Sequence, residues 1–427
     1  MRALSLITAG AVVVILMLDG LDVIVISLVA PAIAQEFALE RAALGPVLAA
    51  ALVGMLAGAP LLGTAGDRWG RRPLLLLSTL VFSAASFATL ASRSSADLTL
   101  WRFLTGVGLG GAVPNAIALL AEYMPRRWRN YTIAIAIVGV PLGGMLGAHV
   151  APDVIAVQGW RAMFILGGIL PLVAAALVWR VLPESPRFLA NRGNRKAELA
   201  RVLNTLSGTH ACTPSDEYLL RTRDAHSGVT LKSLLGREHR RDTLGIWLVF
   251  FTNLFSVFTF LSWAPLIFTS LGLAFPVAAR GLFLFNLAGI VGGILTAWLV
   301  DTYGSRAALL GLALLAAATL VYFSMLVGPR VLSNPVSLMA AFAGAGFALI
   351  SIQVAAYGLS AHIYPTRIRS AGVAYAASAG RVGSIASTLI TGRAFQALSG
   401  SGLFGALALM VCLTLVGIVL VRGHIRD

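Results

Sequence analysis

Apolar residues run along the chain in twelve stretches, at about 6–34, 42–65, 73–92, 97–123, 131–153, 160–182, 243–270, 277–300, 305–327, 335–361, 370–396 and 401–422. Each is long enough for an α-helix to cross the ~30 Å of a bilayer's hydrocarbon, which takes about 20 residues. Six stretches precede a polar break and six follow it. The pattern therefore predicts an all-α membrane protein of twelve transmembrane helices in two bundles of six, with bundles at 1–182 and 243–427 and a linker at 183–242. The first stretch follows Arg2 and passes Ala32-Ile33-Ala34, which looks like a leader cleavage site. It is longer than a leader's apolar core and is broken by Asp19 and Asp22, so it reads as a retained span.

Composition agrees with this reading: 58% of the 427 residues are hydrophobic and 11% charged, whereas a soluble domain carries about 25% charged residues. The net charge of +15 would suggest nucleic acid in a soluble protein. Here the arginines sit in connectors, so the charge reports topology and no nucleic-acid partner is expected. Arg2, Arg68, Arg71, Arg72, Arg126, Arg127, Arg129, Arg306, Arg367 and Arg369 share one side with the arginine-rich linker, against Arg41, Arg93, Arg161, Arg280 and Arg330 opposite. The bias places both termini and the linker in the cytoplasm of a bacterial-type inner membrane. Cys212 and Cys412 lack ligand or disulfide spacing, and no cofactor or metal is expected. No nucleophile or phosphate-binding constellation points to an enzyme.

The halves repeat each other. Gly66-Asp67-Arg68-Trp69-Gly70-Arg71-Arg72 after the second helix has a decayed copy, Asp301-Thr302-Tyr303-Gly304-Ser305-Arg306, after the eighth. Glu122-Tyr123-Met124-Pro125-Arg126-Arg127-Trp128-Arg129 after the fourth is echoed by His362-Ile363-Tyr364-Pro365-Thr366-Arg367-Ile368-Arg369 after the tenth. Parallel repeats of this kind place a substrate site between the halves near the midplane. Asp67, Arg68, Arg71, Arg72 and Glu122, with Asp301, Arg306 and Arg369, are candidates for a charged conformational latch, because carboxylates at helix ends pair with guanidinium groups. The alternative is a purely topogenic cluster. The first of these segments resembles the signature of the major facilitator superfamily, which implies alternating access by rocking of the halves.

Helix 1 carries Asp19-Gly20-Leu21-Asp22 inside an otherwise apolar span. A carboxylate at that depth costs at least about 2.5–3.5 kcal/mol, so the pair must be compensated or protonated. Three residues apart they share a helix face, an arrangement fit to carry protons, or else structural acids tied to an arginine or to backbone. This motif resembles the aromatic acid:proton symporter family, as do Arg102 to Asn115 of helix 4 and Tyr364 to Gly383 around helix 11. The resemblance implies uptake of a benzoate or hydroxybenzoate type anion together with protons. Family members also carry non-aromatic acids such as muconate.

An anion needs a cation at membrane depth. Arg381, ~18 Å along helix 11 by helix rise, is the first candidate, able to grip a carboxylate bidentately. Pairing with Asp19 or Asp22 is its alternative. Arg102 is a second candidate, or a residue that snorkels to the outer interface. Further candidate contacts are Asn115, Trp263 in the aromatic-rich helix 7, Gln353, Tyr357 and Tyr375; lipid-facing or interhelical packing competes for each. His149, beside Asp153, and His362 are possible proton relays, though both lie near interfaces. The expected function is proton-coupled import of an aromatic carboxylic acid by a monomer, with a non-aromatic organic acid carrier or a drug or metabolite efflux antiporter as the alternative.

Overall fold

The computed structural model describes residues 3–63, 65–192, 195–208, 211–218, 231–327, 335–365 and 368–425, and every regular element among them is helical. Arg2, Arg330 and Arg367 lie outside the described residues, as do 219–230 of the linker and the side chain of Arg126. The first six apolar spans are α1 (Ala3–Glu36), α2 (Arg41–Trp69), α3 (Arg71–Thr89), α4 (Ser95–Tyr123), α5 (Arg127–Gln158) and α6 (Arg161–Val181). After the linker come α7 (Arg240–Ser270) and a 52-residue helix, Phe275–Leu326. If straight, the latter would be ~78 Å long, over twice a bilayer's hydrocarbon. It breaks at Gly304 (φ 78°, ψ 158°), giving α8 (275–303) and α9 (305–326). Next are α10 (Pro335–Ile363) and a second 52-residue helix, Arg369–Leu420, which breaks at Ser399 (φ 60°, ψ 178°) into α11 (369–398) and α12 (400–420). The ten apolar helices among the described residues thus make twelve crossings.

Local chemistry fixes the connectors. Ser94 caps α4: its hydroxyl accepts from the Asp97 amide at 3.1 Å, while the Asp97 carboxylate accepts from the Ser94 amide at 3.1 Å. Between α2 and α3, Gly70 takes φ 104°, a conformation that side chains disfavour. The next two amides, of Arg71 and Arg72, both donate to Glu184 Oε1 at 3.1 Å. The second half repeats this with different atoms. After Gly304 (φ 78°), the Ser305 amide donates to the Ile425 carbonyl at 2.9 Å and the Ile425 amide to Ser305 Oγ at 2.8 Å. In each half the chain just past the last helix closes onto the turn after the second helix. A backbone carbonyl replaces the carboxylate as acceptor in the second copy.

The chain packs as two compact units. The first comprises Met1–Asp22, Ala50–Gly143 and Gln158–Ala225. In it α2 and α4 meet through small residues: a Cβ on Gly54 would lie 2.0 Å from the Phe103 carbonyl, and one on Gly106 the same distance from the Ala51 carbonyl. Close backbone approach through such pairs is what holds helices together when lipid removes the hydrophobic drive. The second unit comprises Val23–Ala49, Gly144–Val157 and His226–Asp427. Its centre is a cluster of phenylalanines, Phe260, Phe268, Phe285, Phe323, Phe342 and Phe404, none more than 1% exposed. Phe323 stacks on Phe404 at 5.0 Å and meets Phe342 edge-on at 5.3 Å.

Candidate functional site

The first unit buries an ion pair between α1 and α4. Both terminal nitrogens of Arg102 reach Asp22, at 2.6 and 2.7 Å to its two oxygens. The guanidinium is 0% exposed and the carboxylate 5%. Phe164 of α6 covers the guanidinium at 5.8 Å from its ring centroid. Arg102, a candidate substrate contact with outward snorkelling as its alternative, thus has both terminal nitrogens on Asp22 and does not reach outward. A bidentate carboxylate and an aromatic face within the bundle satisfy the arginine better than a reach of about two turns back to the helix start. Asp19, one turn earlier on α1, is 7% exposed. Gly20 between the two acids has a packing reason: a Cβ there would lie 1.8 Å from the Val140 carbonyl of α5. Gly143 of α5 returns the contact, 1.8 Å from the Met17 carbonyl. The acidic motif therefore sits where the α1 and α5 backbones touch.

The second unit gathers a different set. Gly380 and Gly383 bring α11 against α7, where added Cβ atoms would meet Leu254 at 2.5 Å and the Phe251 carbonyl at 2.2 Å. Arg381 lies between those glycines, partly buried, and no ion pair to it is present among the described residues. Phe250 of α7 lies against α11 beside it, 3.3 Å from where a Cβ on Gly380 would sit, and meets the Tyr357 ring of α10 edge-on at 4.9 Å. One turn below Tyr357 on α10, Gln353 accepts a hydrogen bond from Asn253 Nδ2 at 2.9 Å. Tyr375 of α11 faces Trp247 of α7 at 6.2 Å. Among the described residues, the buried Asn253 Oδ1 and Trp247 Nε1 have no protein partner. A cation, aromatic walls and open hydrogen-bonding atoms are what an aromatic carboxylate requires.

Two expected contacts stand apart. Trp263 is 1% exposed and its indole N–H donates to the Thr388 carbonyl at 3.1 Å, so it packs α7 on α11. Asn115 is 2% exposed and donates to the Leu62 and Gly111 carbonyls at 3.1 and 2.8 Å, an interhelical tie of α4 to α2. Both side chains use their N–H groups on backbone carbonyls inside their own unit.

The charged motif of the first half forms one network. Arg71 pairs with Asp67 at 3.0 Å and with Glu122 at 2.6 Å. Ser185 donates to Glu122 at 2.5 Å, Arg72 donates to the Trp179 carbonyl, and Arg192 donates to the Arg68 carbonyl at 2.8 Å. Glu184, at its centre, also accepts from the Ser185 amide at 2.8 Å. In the other half, Asp301 and Arg306 are exposed, and Arg369 donates to the Tyr364 carbonyl at 3.3 Å. Sequence reasoning missed Glu184, Phe164 and Trp247. Glu184 was visible inside Pro183-Glu184-Ser185-Pro186-Arg187 but without a partner in view, and the two aromatics carried no local signal.

Residues 12–388 match the Major Facilitator Superfamily. A gallate transporter of Pseudomonas putida is 33% identical over 418 residues, spanning 96% of this chain and 90% of its own. The 4-hydroxybenzoate transporter PcaK of Acinetobacter baylyi is 33% identical over 377 residues, with 87% and 80% covered. The benzoate transport protein of the same organism is 29% identical over 385 residues, with 88% and 81% covered. The xylose transporter XylE from E. coli, in a partially occluded inward open conformation, shares the fold at TM-score 0.74 and 18% identity, with 98% and 97% covered. With twelve helical crossings and kinship along nearly its whole length, the chain belongs to the major facilitator superfamily, among its aromatic acid transporters.

Proposed function

We propose that this protein imports an aromatic carboxylic acid together with protons by alternating access. The observation that carries the reading is Arg381, partly buried on the turn of α11 that packs against Phe250 and Leu254, with no ion pair to it among the described residues. The names of the relatives, for gallate, 4-hydroxybenzoate and benzoate, support the same substrate class. The carboxylate docks on Arg381, and the ring lies against the aromatic side chains around it.

Charge balance supplies the coupling. Asp19, Asp22, Arg102 and Arg381 sum to zero when all are ionised. Binding a monoanion makes the set negative, and one proton restores neutrality, which lowers the cost of closing the protein around the load. Asp19 and Asp22 are the carboxylates that take this proton. A proton on Asp22 would release Arg102. This gives a minimal coupling of one proton per monoanion. The Asp67–Arg71–Glu122–Glu184 network holds the ends of α2, α4 and α6 together as that half moves. In this reading 1–182 and 243–427 are the moving halves and 183–242 their linker. Both termini face the cytoplasm of a bacterial inner membrane, and one chain suffices for transport.

Ligand-induced stabilisation of the purified protein tests the substrate half of the reading. Benzoate-type acids should raise its unfolding temperature, Arg381→Ala should abolish the shift, and Arg381→Lys should restore part of it. Equal stabilisation of wild type and Arg381→Ala would remove the basis of the proposal.

A further inference from the structure

Arg41 and Trp263 have no part in the transport chemistry above, yet the second unit brings them to one place. Where the start of α2 crosses the end of α11, the two backbones touch. A Cβ on Gly45 would lie 3.1 Å from the Leu389 carbonyl oxygen, and one on Gly392 would lie 2.8 Å from the Arg41 carbonyl oxygen and 2.5 Å from the Trp263 ring. The Arg41 guanidinium lies over Phe395, 4.9 Å from the ring centroid, and that ring is 6% exposed. Trp263 backs the crossing from α7, its indole N–H on the Thr388 carbonyl at 3.1 Å. A second crossing, of α5 with α8, repeats the arrangement. A Cβ on Gly144 would lie 3.1 Å from Asn286 Oδ1, and the His149 and Phe283 rings lie 5.9 Å apart.

By the order of crossings, the starts of α2 and α8 and the ends of α5 and α11 share the membrane face opposite the termini. The first-half stretches that pack with the second half inside one unit, Val23–Ala49 and Gly144–Val157, end or begin at that face. Loading from it requires both crossings to part. Of the contacts that would be lost, the guanidinium on the Phe395 ring is the directed one, and a cation held this way biases an equilibrium about three- to thirtyfold. Resting on the alternating-access reading, we infer that Arg41 and Phe395 form the latch of the outer gate, and that Trp263 is the wall holding α11 in place to receive it. Arg41 is a positioning residue, acting on the balance between closed and open and making no contact with the substrate. The latch sets how often the outer face opens to load.

The test reads that opening. Ile385 shares the α11 face of Arg381 and Gly392, one turn inside the Leu389 contact. In a chain carrying Cys212→Ser and Cys412→Ser, Ile385→Cys is reacted in intact cells with a membrane-impermeant thiol reagent, so that the rate follows the open fraction. Arg41→Ala should speed modification about three- to thirtyfold and Phe395→Leu by a similar factor, with Arg41→Lys between Arg41→Ala and wild type. The double variant should be no faster than either single one. Val157→Cys, 81% exposed at the same face, should react at one rate throughout, and benzoate should still change the Ile385→Cys rate in each variant, which a misfolded chain would not show. An unchanged rate in Arg41→Ala, or factors that multiply in the double variant, overturns the latch; if benzoate changes the wild-type rate in that case, the import reading stands. If Ile385→Cys is never reached from outside although Val157→Cys is, alternating access fails and the latch falls with it.

Discussion

Replacing Asp22 by Asn leaves the Arg102 guanidinium, 0% exposed, without its countercharge. Two charge-assisted hydrogen bonds of 2.6 and 2.7 Å are weakened to neutral ones at best. Removing one member of a buried pair costs about 3–5 kcal/mol, because the other charge stays desolvated. The same source of cost predicts that removing both charges is mild. Asp22→Leu combined with Arg102→Met should be near neutral, whereas Asp22→Leu and Arg102→Met alone should each destabilise by about 3 kcal/mol or more. The coupling energy from that cycle should therefore be about 6 kcal/mol, the sum of the two single costs. Denaturant unfolding of the four proteins in detergent, followed by helical circular dichroism, measures it. Single variants within about 0.5 kcal/mol of wild type, or strictly additive ones, would refute the reasoning. Either result would mean that water or another group compensates the arginine.

Three further outcomes follow from contacts elsewhere. Gly20→Ala forces a methyl to within 1.8 Å of the Val140 carbonyl, so α1 must shift from α5; the variant should lose about 1–3 kcal/mol in the same unfolding assay, and Gly143→Ala should match it. Glu184→Ala strips the acceptor from the Arg71, Arg72 and Ser185 amides and should cost about 1–3 kcal/mol, with faster hydrogen exchange at the start of α3. Arg381→Lys should retain transport with a raised KM, since a point charge replaces a planar fork, while Arg381→Ala should show no saturable uptake.

Much of the architecture was legible because a bilayer imposes a simple rule: an apolar run of sufficient length is a helix. Even the two 52-residue helices were divided correctly from sequence, since Gly304 and Ser399 fall between apolar runs. The acids and arginines at membrane depth were legible for the same reason, being expensive there. Their pairing was not. Which arginine answers Asp22 depends on the distance between α1 and α4, and that distance is set by glycines and side-chain packing across the bundle. The two candidate contacts set apart, Asn115 and Trp263, illustrate the limit from the other side. A polar side chain at membrane depth satisfies its N–H groups either on a ligand or on a neighbouring helix, and residue type does not distinguish these. Glu184 shows a third limit, because its value lies in amides that become open only after the chain turns at Gly70.

The central claim, proton-driven accumulation of an aromatic carboxylate, is tested most directly in proteoliposomes holding the purified protein. An outside-acid gradient is imposed, and uptake of radiolabelled 4-hydroxybenzoate is followed with internal pH. The account predicts accumulation above the external concentration and proton entry that accompanies the substrate one for one. A protonophore should collapse both, and neither should occur in Asp19→Asn. Uptake that only equilibrates, or proton movement opposite to the substrate, would contradict it.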